Sequence, residues 1–156
     1  MAKNSGKGGI LITNGFPELL EKIKEAQGNV EEAAWTAARK SASVMMQTLK
    51  EECDASGVPQ SVSGAITANA VRDESGQRMA AEVGWRMGEY DPKNLSQGYK
   101  AVFLNYGTPR RATRSGYNRG HITGRGFIGR AKKKARPKIK KAQQEALESI
   151  LKELTE

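Results

Sequence analysis

Histidine and cysteine are almost missing from this chain: His121 and Cys53 are the only examples. A lone cysteine excludes an internal disulfide. One His and one Cys, far apart in sequence, supply no metal-ligand spacing. Thiol catalysis would need a base beside Cys53, and His121 lies in a Gly-rich stretch well away from it. Cys53 therefore reads as a small residue of a helix core or its boundary, and an unpaired thiol fits a reducing compartment. Long apolar runs are lacking too. Ile10-Leu11-Ile12 is too short for the apolar part of a secretion signal, and nothing approaches the ~20 residues that cross a bilayer. No phosphate-cradling motif is present, because Gly6 to Gly9 lacks the strand-to-helix frame and the Lys-Ser/Thr ending. The carboxylate pairs Glu31-Glu32 and Glu51-Glu52 fall on helical patterns and read as solvated faces. These absences argue against an enzyme. They lead to the expectation of no catalytic residues, no metal, no cofactor and no membrane partner, in a soluble cytosolic chain.

Acid is missing where base is densest. From Arg110 to Lys141 there are thirteen Lys or Arg residues and no Asp or Glu. The rest of the chain holds thirteen basic and seventeen acidic residues, so the formal +9 comes from one segment. A segment of this kind repels itself. It needs a polyanion, an acidic protein surface or full hydration to sit comfortably.

At 156 residues the chain has the length of one domain with a modest core. Residues 1–9 read as a flexible N-terminal tail, and 10–156 as a single domain. Ile10 to Thr13 suits a short strand, and Asn14-Gly15 a turn. Pro17 opens a short helix to Gln27, which Gly28 ends. Asn29, with Glu32 three residues on, starts the clearest helix. Its apolar residues Trp35, Ala38, Ala42, Met45, Met46, Leu49 and Cys53 share one face to the end at Cys53. Residues 55–63 read as a loop. Ala65 to Arg72 and Met79 to Trp85 alternate as paired strands around a turn at Glu74-Ser75-Gly76-Gln77. Arg86 to Lys100 reads as a loop, and Ala101 to Tyr106 as a further strand. A basic loop covers 109–126. Helix 127–155 closes the chain, with a kink or break expected at Pro137. The fold class is α+β: a small antiparallel sheet packed against a long N-terminal helix and a C-terminal amphipathic helix.

The basic stretch admits three uses. Its Arg and Lys residues neutralise phosphates, with Tyr117 or His121 stacking on bases. They dock an acidic protein surface. Or they are simply a solvated loop and helix face.

Two short runs carry a resemblance. Phe103-Leu-Asn-Tyr-Gly-Thr108 and Gly124-Arg-Gly-Phe-Ile-Gly-Arg-Ala131 resemble the gene-ten-like tail-component family of lambdoid siphophages. In that family a strand ends in an aromatic-Gly-Thr turn, a loop of variable length follows, and an Arg-Pro-Phe-hydrophobic motif opens the last helix. Asn105 stands here where the family has an acid, and Gly126 where it has proline. The resemblance implies a structural virion protein at the head–tail interface: a neck, tail-completion or tail-terminator subunit. It implies a ring-shaped homo-oligomer, with six copies as the expected number, around a channel that passes DNA without sequence preference. It implies partners among connector, head-closure and tail-tube proteins. It also implies a location in the virion neck, after assembly in the host cytoplasm. Arg110, Arg111, Arg114, Arg119, Arg125, Lys132, Lys133 and Lys134 are the residues expected to touch DNA or a partner. Tyr106, Gly107, Thr108, Phe127 and Ile128 are expected to be structural. A stand-alone basic nucleic-acid-binding module is the rival reading.

Overall fold

The computed structural model describes residues 9–10, 16–72 and 79–156. Its elements are β1 (Gly9–Ile10), α1 (Pro17–Glu25), α2 (Val30–Ala55), α3 (Gln60–Ser63), β2 (Thr67–Arg72), β3 (Met79–Gly84), α4 (Gln97–Tyr106) and α5 (Phe127–Thr155). The class is α+β, with a long N-terminal helix, a C-terminal helix and a small antiparallel sheet in the order β1-β3-β2.

Helix α2 organises the molecule by packing against both the sheet and α5. It starts where the side chain of Asn29 accepts the Glu32 N–H at 3.1 Å, replacing a bond the first turn lacks. Its buried face carries Ala33, Ala37, Ala38, Ala42, Met45, Leu49 and Cys53. Helix α5 offers Ala131, Ala135, Ile139 and Leu147 in return. Small residues on both sides let the backbones come close. The two helices run antiparallel, since Glu52 meets Arg130 and Ser41 meets Gln143. The buried Gln143 amide donates to Ser41 at 2.9 Å, and the Ser41 hydroxyl donates to the Ala37 carbonyl at 2.8 Å. Neither polar side chain is left unmatched by its burial. At the other end, Ile23 of α1 joins Ala33, Ala37 and Leu147 in a second apolar cluster. Cys53 is fully buried, and its thiol is pushed up to about 11 by desolvation and by the neighbouring Asp54 and Glu52 charges. It has the environment of a core residue.

The sheet supplies the remaining wall. Strands β2 and β3 pair from Thr67 opposite Gly84 to Arg72 opposite Met79. The expected turn at 74–77 lies outside the described residues, as do the expected turn at Asn14-Gly15 and residues 11–13. Of the expected tail, only Gly9 is described; it pairs with Glu82 in β1. Phe127, fully buried, meets Trp85 edge-on at 6.3 Å between centroids. Burial of a side chain this size stabilises by about 1.5–3 kcal/mol. It pins the start of α5 to the end of β3.

Three expectations are corrected. Ala101 to Tyr106 is not a strand but the greater part of α4, whose first turn takes Gln97 to Lys100 out of the expected loop. Ser96 caps that helix by accepting the Tyr99 N–H at 3.4 Å, and Gly98, Ala101 and Asn105 fall on one buried face. So short a run, apolar except for Asn105, carries no clear period of its own, and the cap and the spacing decide it. Residues 60–63, expected as loop, form α3. Pro137 does not break the last helix: α5 is continuous over 29 residues. Both Pro137 and Lys133, whose carbonyl loses its partner, are exposed. Water can serve that carbonyl, which lowers the cost of the missing bond.

Candidate polyanion-binding site

The basic loop is built as an irregular β-ribbon. At its neck the Thr108 N–H donates to the Ile122 carbonyl at 2.9 Å, and the Ile122 N–H returns to the Thr108 hydroxyl at 2.9 Å. Gly107 and Thr123 pair beside them. Gly107 takes φ +80°, and a Cβ there would sit 2.5 Å from the Ile122 carbonyl oxygen. Gly124 is equally constrained, because a Cβ would lie 2.7 Å from the Tyr106 carbonyl. Only glycine lets the two sides of the neck close. Further out, the Arg111 N–H donates to the Gly120 carbonyl at 3.0 Å, and the Arg119 N–H donates to the Arg111 carbonyl at 2.7 Å. Arg119 and Gly120 thus face one residue, a bulge that twists the ribbon. At the tip, the Thr113 N–H donates to the Tyr117 carbonyl at 2.8 Å, and Gly116 donates back to Thr113 at 2.9 Å with φ +84°. A glycine in that conformation closes a tight hairpin.

Nearly every ribbon side chain faces solvent. Among the described residues, Arg110, Arg111, Arg114 and Arg119 have no side-chain partner. Tyr117 is 76% exposed among them. The ribbon is therefore a backbone-bonded arm with free guanidinium groups.

Arg125 behaves differently. Its guanidinium donates to the Ser56 and Gly57 carbonyls at 3.1 and 2.7 Å, closing the C-terminal end of α2. Arg130 reaches the same corner. It donates to the Arg125 carbonyl at 2.6 Å, to the Ser56 hydroxyl at 2.7 Å and to the Glu52 carboxylate at 3.2 Å. Lys134 bonds the other oxygen of Glu52. Glu52 is 5% exposed, so its charge is tolerable only because it is paired. The bond from Lys134 holds its pKa below 4.5 against the upward push of burial, and Arg130 adds to the lowering. The expectation of a solvated face at Glu52 is overturned. Glu51 fits it, with exposed contacts to Gln47 at 3.2 Å and Lys138 at 3.8 Å.

Helix α5 thus carries two rows of cations on opposite flanks of its buried stripe. Arg130, Lys134 and Lys138 form the inner row, facing the carboxylates of α2. Lys132, Arg136 and Lys140, with Lys133 beside them, form the outer row. These four have no side-chain partner among the described residues. Lys132 lines a 310 Å³ cleft together with Met45, Leu49, Trp85, Ile128 and Tyr106. The outer row therefore begins at the root of the ribbon.

Of the expected contact residues, the structure groups Arg110, Arg111, Arg114 and Arg119 on the ribbon and Lys132 and Lys133 on the outer row. It commits Arg125 and Lys134 to the scaffold. Of the expected structural residues, Phe127 is an anchor, Ile128 packs half-buried against the core, and Gly107 and Thr108 form the neck. Tyr106 is the exception: it is 72% exposed. It ends α4, from where its side chain points away from the interior. Sequence reasoning missed Asn105, Glu52 and Arg130. Asn105 is buried and accepts the Ile128 N–H at 2.9 Å, capping α5 from another helix because Gly126 has no side chain to do so. Glu52 did carry a signal, since it stands seven residues after Met45 and three after Leu49, on the buried face.

Among the described residues no group of three or more His, Cys, Asp or Glu is placed to hold a metal ion. No described helix is long and apolar enough to cross a membrane. No family model matches the chain, and neither a curated protein nor a solved structure matches it.

Proposed function

We propose that the chain is a structural virion protein of a tailed bacteriophage, placed at the head–tail interface as a neck, tail-completion or tail-terminator subunit. In this role copies close into a ring around the DNA channel, six being the expected number, and the ring meets connector, head-closure or tail-tube proteins. The observation that carries the proposal is the separation of charge. An acid-free ribbon and the outer row of α5 present cations that are unpaired among the described residues, while the chain outside residues 110–141 is mildly acidic. Such a surface attracts a polyanion or an acidic protein face. The ordered neck at Gly107 and Thr108, followed by Phe127 anchoring the last helix, supports the resemblance drawn from those same residues. The resemblance is weakened at one point, because the segment before Tyr106 is helix and not strand.

Negative-stain electron microscopy of the purified protein, alone and mixed with connector and tail-tube proteins, tests this. Rings with a central channel are expected. A particle that stays monomeric in every mixture overturns the proposal. The rival reading, a stand-alone nucleic-acid-binding module, draws on Tyr117 standing exposed between Arg114 and Arg119. It requires tight binding by the monomer, which sedimentation of the protein with short oligonucleotides measures directly.

A further inference from the structure

We infer that the ribbon docks in the major groove of duplex DNA while the outer row of α5 lies along the flanking phosphates. The inference rests on the reading of this surface as one that faces DNA, and it names which form of nucleic acid fits.

Shape is the first argument. Two paired strands are about 4.8 Å apart, and with side chains they make a body near 10 Å across. A major groove about 12 Å wide admits such a ribbon, whereas a minor groove about 6 Å wide does not. From Thr108 to Arg114 the arm extends roughly 20 Å, enough to cross a duplex groove. Its backbone bonds run from the neck to the tip, so it meets DNA as a formed element. Little ordering entropy is then lost on binding.

Chemistry is the second argument. Among the described residues the ribbon's four arginines have no side-chain partner, so they are available to phosphates. Lys132, Arg136 and Lys140 repeat every four residues along α5, and they start beside the ribbon's root at the cleft shared with Tyr106. The outer row of α5 therefore starts near the base of the arm. Single-stranded nucleic acid asks for something else: a series of aromatic platforms on which successive bases stack. Between residues 109 and 126 there is one aromatic ring, Tyr117, and one imidazole, His121. That is too sparse for a stacking track. A-form duplex RNA is also a poor fit, because its major groove is deep and too narrow for side chains to enter.

The experiment compares equal-length duplex DNA, duplex RNA and single-stranded DNA in titrations across a salt series, using the assembled protein. Duplex DNA is expected to bind at least roughly tenfold more tightly than either of the others. Replacing Arg110→Gln, Arg111→Gln, Arg114→Gln and Arg119→Gln together should reduce the log–log salt slope on duplex DNA by about 3 to 4 and remove the preference over RNA. An equal loss of charge elsewhere, Lys22→Gln, Lys40→Gln, Lys93→Gln and Lys100→Gln, should leave the preference in place. Thermal melts of both variants establish that each is folded. Duplex DNA carrying bulky groups on the pyrimidine C5 positions, which fill the major groove, should lose most of its affinity. Equal affinity for DNA and RNA duplexes, tighter binding to the single strand, indifference to the groove-filling groups, or no binding at all would each overturn the inference. If rings are still seen in the microscope in those cases, the proposed virion role stands and only the groove docking is lost. If rings are absent, the virion role fails independently.

Discussion

The two rows of cations on α5 have the same chemistry and opposite fates. Arg130, Lys134 and Lys138 look across at α2 and are matched there by Glu52 and Glu51. Lys132, Lys133, Arg136 and Lys140 look the other way and meet no carboxylate among the described residues. The inner row belongs to the fold, where it satisfies a buried charge and closes the corner at Ser56. The outer row is free for a partner. A count of positive charge therefore overstates the binding surface. What matters is which cations the protein has already neutralised for itself.

The harshest way to break this contrast is to make the inner row unmatched. Glu52→Lys places a third cation against Arg130 and Lys134 in a buried position, and should cost about 3–5 kcal/mol, seen as a fall in the urea midpoint. Glu52→Gln keeps the shape and removes the charge. It is expected to cost about 1–2 kcal/mol, less than a fully buried pair would lose because Arg130 and Lys134 stay half exposed and rehydrate.

Acid sharpens the same comparison. The folded pKa of Glu52 lies below its ordinary 4.5, so the unfolded chain binds the proton more readily. Its contribution is whole above pH 4.5 and fades as pH falls through the lower, folded value. The stability gap between the native chain and Glu52→Gln should therefore be flat from pH 5 to 7, as tested values. It should narrow below 4.5, where a widening gap would contradict the assignment. The smallest effect belongs to the outer row. Lys132→Gln, Arg136→Gln and Lys140→Gln together should change unfolding stability by no more than about 0.5 kcal/mol. The same triple change should cut the salt slope of duplex binding by about 2 to 3. A large loss of stability would show that this row also serves the fold.

Much of the scaffold was legible beforehand. The start of α2 at Asn29, its apolar face, the β2–β3 pair and the span of α5 all follow from signals that act over a few residues. The strand reading failed at Ala101 to Tyr106, because a short and mostly apolar run between turn signals suits a helix as well as a strand. Only the Ser96 cap and the burial of Ala101 and Asn105 together resolve it. At Pro137 the local rule was right about the missing bond, but the helix continues past it without a break. The site was half legible: the free arginines of the ribbon stood out, but Arg125 and Lys134 looked the same on paper and turned out to be occupied.

The sequence by itself determined that positive charge would gather between residues 109 and 141, since no acid is written there to offset it. It also determined the helical stripes, because capping and period depend on neighbours three or four positions away. Only the tertiary structure decided which cations remain available. Glu52 stands 78 residues before Arg130 and 82 before Lys134. The antiparallel packing of α2 and α5 brings them together, and nothing local to either helix could.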